Sequence, residues 1–325
     1  MKNRYVKNLI CFSAAFIIML LIVTATLADD FPLMGPEQLS GSKIKQFDQQ
    51  LPLLDAAGGT IQTIMDDGSE ISMRMVEVRA NMLPPSFRPE NGKPYLGTAV
   101  FTYRVSTEPV VPLSRVDTYV NPLVVATRGT PTTIRYINNL TSSAINWRNW
   151  TDLSMHSALH QSVDRMMPIT GDTAHYQGPI LAVPHLHGGE VPALIDGGPE
   201  AWFASDVPGP DTSTAYKTHG PAYYSKAGAA DNEAIYSYPN TQQAAPLWFH
   251  DHLLGGTRIN ATFGGLAGGY ALVDPKLVLP QGLLPVGMDI NGNGKMDAAN
   301  EVVVPLLLQD RSFDKNGELY FPSAG

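Results

Sequence analysis

The stretch APLWFHDHLL, residues 245–254, decides how this chain reads. It is apolar and aromatic, short, and interrupted by two histidines two positions apart, His250 and His252. Residues i and i+2 of a strand face the same side about 6.5–7 Å apart. Both imidazoles would therefore stand side by side on one surface. The pattern recurs in LAVPHLHGG (181–189), which carries His185 and His187. Two such strands brought together would offer four ring nitrogens. At that spacing two rings more easily serve two neighbouring metals than chelate one, and imidazole-only sites suit Cu, Zn, Fe or Ni. One His-x-His is weak evidence. Two of them, both in apolar β-like runs, point to a metal site, because buried polar rings need partners.

Working outward, the same strand signature repeats. ISMRMVEVRA from Ile71 alternates, as does TAVFTYRV from Thr98, with Pro-Pro and Asn-Gly-Lys turn signals between them. PTTIRYINNL (131–140), GLAGGYALVDP (265–275) and EVVVPLLLQDR (301–311) are further β-rich runs. Residues 29–70 form a polar leader, and two inserts, roughly 141–180 and 204–237, read as loops. With 29 glycines and 26 prolines in 325 residues, turns are favoured over long helices. No internal repeat is evident. These features predict an all-β chain, an antiparallel sandwich or barrel.

Composition removes several function classes. The single cysteine, Cys11, excludes an intramolecular disulfide framework, a cysteine-based zinc site and an iron–sulfur cluster. A net charge of −8 gives no electrostatic footprint for nucleic acid. Cys11 also falls in residues 1–28, where Lys2, Arg4 and Lys7 precede an apolar run from Leu9 to Leu27 and a small-residue end at Ala28. That order is the order of a secretory signal peptide, so a secreted or extracytoplasmic protein is expected: periplasmic, cell-surface or extracellular. The competing reading is an uncleaved membrane anchor. After cleavage the chain would hold no cysteine and be more acidic still.

Beyond Asp274-Pro275 the segment DINGNGKMDAANE (289–301) has the spacing of a calcium loop. Asp289, Asn291, Asn293 and Asp297 take positions 1, 3, 5 and 9, with Gly294 at position 6. Position 12 is Asn300 where a bidentate glutamate belongs, and Glu301 comes one residue late. An Asx- and Gly-rich turn is the alternative.

The flanks of the histidine pairs carry a resemblance. HLHGGEVPALIDGGPEAWF (185–203) and YPNTQQAAPLWFHDHLLGGTRINATFGGLAGGYALVDP (238–275) resemble the N-terminal cupredoxin domain of multicopper oxidases, nearest the spore-coat laccase and bilirubin-oxidase type. The likeness covers roughly 120–275, and VPLLLQDRSFDKNGELYFPSA (304–324) looks like the opening strand of a second such domain. It implies a cupredoxin-like Greek-key sandwich over 71–275 (plastocyanin-like), with 276–325 as linker and first strand of the next domain.

The resemblance further implies copper. His185 matches a ligand of the type 2 copper, and His187, His250 and His252 match ligands of the type 3 pair. Asp196 falls where the subgroup keeps an acidic residue near the trinuclear cluster, suited to relaying the protons that reduction of O2 to water consumes. Asp251, between two ligands, would face the other side of its strand and orient a ring or loop. The reducing substrate would be a phenol, a pigment or a metal ion. The family's remaining His-rich motifs and its cysteine-ligated type 1 copper have no counterpart here, so three readings stand. The chain is the N-terminal part of a longer oxidase, or a subunit whose partner supplies the other cupredoxin domains, or a non-catalytic copper-binding cupredoxin. On its own it is expected to be inactive.

The remaining signals read as ordinary structure. Trp202 and Trp248 are expected in the core, and His156, His160, His175 and His219 as solvated polar residues. Asn139, Asn149 and Asn260 match the glycosylation sequon, a short pattern that recurs by chance.

Overall fold

Alternating and β-branched runs become strands in the computed structural model. It describes residues 37–49, 52, 61–108, 113–116, 119–141, 143–145, 147–151, 176–212, 215–277 and 306–321. The chain divides into two units, and Gln38–Phe321 forms one of them. The other, Met1–Glu37 with Pro322–Gly325, lies outside the described residues except for Glu37. The leading apolar segment 1–28, the calcium-loop candidates Asp289, Asn291, Asn293 and Asp297, and His156, His160 and His175 also lie outside them.

Among the described residues the strands are β1 (Thr63–Met65), β2 (Ile71–Ala80), β3 (Thr98–Val105), β4 (Arg115–Val116), β5 (Leu123–Thr127) and β6 (Thr132–Asn138). They continue with β7 (Leu181–Ala182), β8 (Pro184–His187), β9 (Phe203–Ala204), β10 (Glu233–Tyr238), β11 (Ala245–Asp251) and β12 (Ala267–Val273). One sheet has the order β1-β5-β12-β11-β8, and a second has β10-β6-β2-β3 with β4 beside β2. The fold is all-β and cupredoxin-like. No helix among the described residues is long and apolar enough to cross a membrane.

Between the two sheets lies an aromatic core. Tyr103 of β3 meets Phe249 of β11 edge-on at 5.1 Å, and Tyr238 of β10 meets Tyr270 of β12 at 6.2 Å. These rings are buried together with Met73, Met75, Val124 and Tyr136. Burial of this apolar surface is what drives the two sheets together.

The sheets differ from the antiparallel expectation: they are mixed. β5 runs parallel to β1 and to β12, and β2 runs parallel to β6 and to β4. Alternation of side chains reports which face of a strand is buried and says nothing of its neighbour's direction. Two other differences stand out. β10 lies in a stretch read as a loop, and residues 306–311 of the run 301–311 form no strand. Instead Phe313 bridges Leu319, and both side chains enter the core. The Glu318 carboxylate accepts from Arg79 at 2.7 Å and from the Ala99 N–H at 3.0 Å, which ties this turn to the β2–β3 pair.

Glu77 on β2 is buried, yet its charge is met. Its carboxylate accepts the N–H groups of Ser143 (2.8 Å), Ala144 (2.9 Å) and Ile145 (2.6 Å) and the Thr141 hydroxyl. Charge-assisted bonds of this kind make a buried carboxylate tolerable. They also fix the approach to the one-turn α-helix Trp147–Trp150.

Candidate metal centre

β8 and β11 are antiparallel neighbours, and their register sets His185 opposite His250 and His187 opposite Trp248. The pleat then places His185, His187 and His250 on one face, while Leu186, Phe249 and Asp251 turn to the core. His252 follows one residue beyond β11, where its N–H donates to the Val183 carbonyl at 2.8 Å. The four imidazoles cluster. Ring centroids are 5.4 Å apart for His185–His250, 5.3 Å for His187–His250 and 4.6 Å for His185–His252. His185, His187 and His250 each offer a nitrogen within 4.8 Å of the others.

Backbone carbonyls fix three of the rings. His250 Nδ1 bonds the Asp251 carbonyl at 2.7 Å, His252 Nδ1 bonds the Gly197 carbonyl at 3.0 Å, and His185 Nδ1 bonds the Asp196 carbonyl. A carbonyl can only accept, so Nδ1 carries the proton and Nε2 keeps its lone pair. That is the arrangement in which an outer partner orients a metal-binding imidazole. His187 Nδ1 lies 3.1 Å from His250 Nε2, inside the cluster. Burial pushes His250 down to about 4, against the pull of the Asp251 carbonyl, and lowers His185 in the same way. Both rings are therefore neutral at pH 7, the form that binds metal.

Two of these carbonyls, those of Asp196 and Gly197, come from a loop in which position 197 suits glycine. After a short turn at Ala193–Ile195, Gly197 adopts φ +73°. A Cβ there would press into the Pro184 carbonyl and reach 3.0 Å from the His185 Cα. Asp196 is beside the cluster: its Oδ1 is 3.5 Å from His185 Nδ1, and its side chain is 45% exposed.

Asp251 occupies the reverse face, fully buried, and accepts the N–H groups of Val183 (2.8 Å) and Leu253 (3.1 Å). Burial raises its carboxyl to about 7, opposed by those two bonds and by the nearby Asn260 side chain.

Trp202 is in the core as expected, but Trp248 is not: it is 42% exposed and stacks on His187 at 4.9 Å. It shares the outer face with the histidines because it lies two residues before His250. His219 lies outside the cluster's ring contacts, stacked on Tyr223 at 3.7 Å. Asn260 is completely buried, so its sequon is unavailable to a glycan in the folded chain. The carbonyls of Asp196 and Gly197 and the indole of Trp248 were not legible as site elements, since backbone acceptors and stacking leave no residue-type signal.

An all-β, cupredoxin-like module displaying four imidazoles from two His-x-His segments defines the class. No protein-family model matches the chain. It is 31% identical over 206 residues to a laccase of Bacillus subtilis (strain 168), covering 62% of this chain and 30% of that protein. It is 35% identical over 152 residues to a laccase of Bacillus stratosphericus, covering 46% and 23%. A multicopper oxidase of Oryza sativa subsp. japonica is 35% identical over 149 residues, covering 46% and 20%. Over these aligned residues the chain is similar to laccases and other multicopper oxidases. It spans less than a third of the length of these relatives.

Proposed function

We propose that this chain is the copper-binding N-terminal part of a secreted, laccase-like multicopper oxidase. The observation that carries the reading is the set of four clustered imidazoles, three of them with Nδ1 tied to a backbone carbonyl and Nε2 left with the lone pair that a metal takes. Neutral imidazoles suit copper, and the donor set fits it without any thiolate. His185 is assigned to the type 2 copper and His187, His250 and His252 to the type 3 pair. Copper bound there supplies electron transfer to O2, which the whole oxidase reduces to water at the expense of a phenol, a pigment or a metal ion.

The chain's own residues do three things in this reading. Histidines bind, backbone carbonyls orient them, and Asp196 moves protons. The Asp196 carboxylate is half exposed and adjacent to the His185 ring, a position from which it can take protons from water and hold them beside the centre. The other half of the ligands comes from further cupredoxin domains, in cis or in trans, so the chain alone does not turn over. Export through residues 1–28 and calcium at Asp289, Asn291, Asn293 and Asp297 belong to the same proposal.

Cu(II) titration of the purified chain, followed by EPR, tests it. Copper is expected to bind with a type 2-like signal. His250→Ala should weaken binding by more than the roughly 10- to 100-fold typical of losing only an outer partner, and His219→Ala should leave it unchanged. Absence of copper binding, or equal binding by His250→Ala, overturns the assignment.

A further inference from the structure

Behind the histidines, the Asn260 side chain faces the Asp251 carboxylate and favours its charged form, as the Val183 and Leu253 N–H groups do. Asn260 Nδ2 also donates to the Leu181 carbonyl at 2.9 Å, and its Oδ1 accepts the indole N–H of Trp147 at 2.7 Å. An indole N–H can only donate, so this bond sets the amide's orientation: oxygen toward Trp147, nitrogen toward Asp251 and Leu181. Asn260 is carried on a π-helical turn, Arg258–Phe263. Its backbone is tied as well, N–H to the Gly256 carbonyl at 2.9 Å and C=O from the Leu266 N–H at 3.0 Å. Isolated π turns of this kind are frequent at functional sites.

We propose that Asn260 is a positioning residue for the copper-ligating imidazoles. Its amide acts on both histidine pairs at once. Leu181 and Val183 lead the chain into His185, and Asp251 separates His250 from His252. The bond from His252 N–H to the Val183 carbonyl closes the link between the two segments. With the amide in place, Asp251 is satisfied on its core side and both His-x-His backbones are pinned from behind, so the rings stay aimed outward. Trp147 sets the amide, and the Glu77-bound segment 143–145 sets Trp147. The inference rests on the copper reading above.

The test is a Cu(II) titration of the full chain and two variants, reading Kd and the EPR spectrum, with near-UV circular dichroism and metal-free melting alongside. Asn260→Asp keeps the acceptor for Trp147 but puts a carboxylate oxygen where the donor faced Asp251 and Leu181. Trp147→Phe keeps an aromatic ring and removes the N–H that orients the amide. Folded Asn260→Asp is expected to bind copper about 10-fold more weakly or worse, with an altered EPR spectrum. Trp147→Phe should shift both readings in the same direction by less. Unchanged Kd and spectrum in folded Asn260→Asp, with only the melting temperature lowered, would show a merely structural role and overturn the proposal. Should that variant not fold, wild-type Kd and spectrum in Trp147→Phe overturn it instead. Failure of the wild type to bind copper overturns the reading of the site itself, which separates the two failures.

Discussion

The indole of Trp248 stacks on the imidazole of His250, with ring centroids 4.2 Å apart and planes 28° from parallel, on the outer face of the sheet. The contact places a fluorophore directly on a ring that the copper reading makes a ligand. Trp147, Trp150 and Trp202 are buried and stack on none of the four histidines. Paramagnetic Cu(II) is therefore expected to quench chiefly Trp248. In Trp248→Phe most of the copper-dependent loss of emission should vanish while copper still binds by EPR. Quenching of wild-type size in this variant would place the metal elsewhere.

Gly197 answers to two constraints, its φ of +73° and the space against Pro184 and His185. Gly197→Ala is expected to cost about 1–2 kcal/mol for the left-handed backbone alone, read as a lower urea midpoint. Its carbonyl also holds His252, so copper affinity should fall as well. Gly197→Asn separates the causes, since asparagine tolerates the backbone conformation but still brings a Cβ. Recovery of stability in Gly197→Asn would mean that the close approach to Pro184 is unimportant.

The depressed His250 predicts a pH dependence of metal-free stability. An unfolded histidine titrates near about 6.5, whereas burial holds His250 at about 4. Between those values the unfolded chain binds a proton that the folded chain does not, so stability falls as pH drops through the window. Asp251, raised to about 7, acts in the opposite sense, so the comparison is with His250→Asn rather than with a single curve. The variant's urea midpoint should rise relative to wild type as pH is lowered from 6.5 to 4 in metal-free buffer. A constant offset across that window would mean that His250 titrates normally.

The two histidine pairs are legible in the sequence because strand period 2 converts His-x-His into a shared face. The same rule puts Asp251 on the other face, where it is found. It applies equally to Trp248, but hydrophobicity argued for the core and outweighed it. Asn260 matched a surface motif and is buried, because a three-residue pattern carries no information about what packs over it. Parallel pairing of β5 with β12 and of β2 with β6 was not legible either, as it depends on long connections rather than on local pattern. β10, EAIYSY, has a strand composition, but it follows a polar Gly- and Pro-rich stretch that hides its start.

The register between β8 and β11 also dictates an order of events. His187 and His250 are 63 positions apart, and they meet only when those two strands pair. Chain closure over that length must be paid entropically before any local reward arrives. During synthesis the first pair emerges well before the second exists, and a solitary His-x-His is a poor trap for an ion. In the copper reading, metal capture would follow completion of the sheet, and the ion would act as a lock on a finished sandwich, shifting the folding equilibrium by mass action.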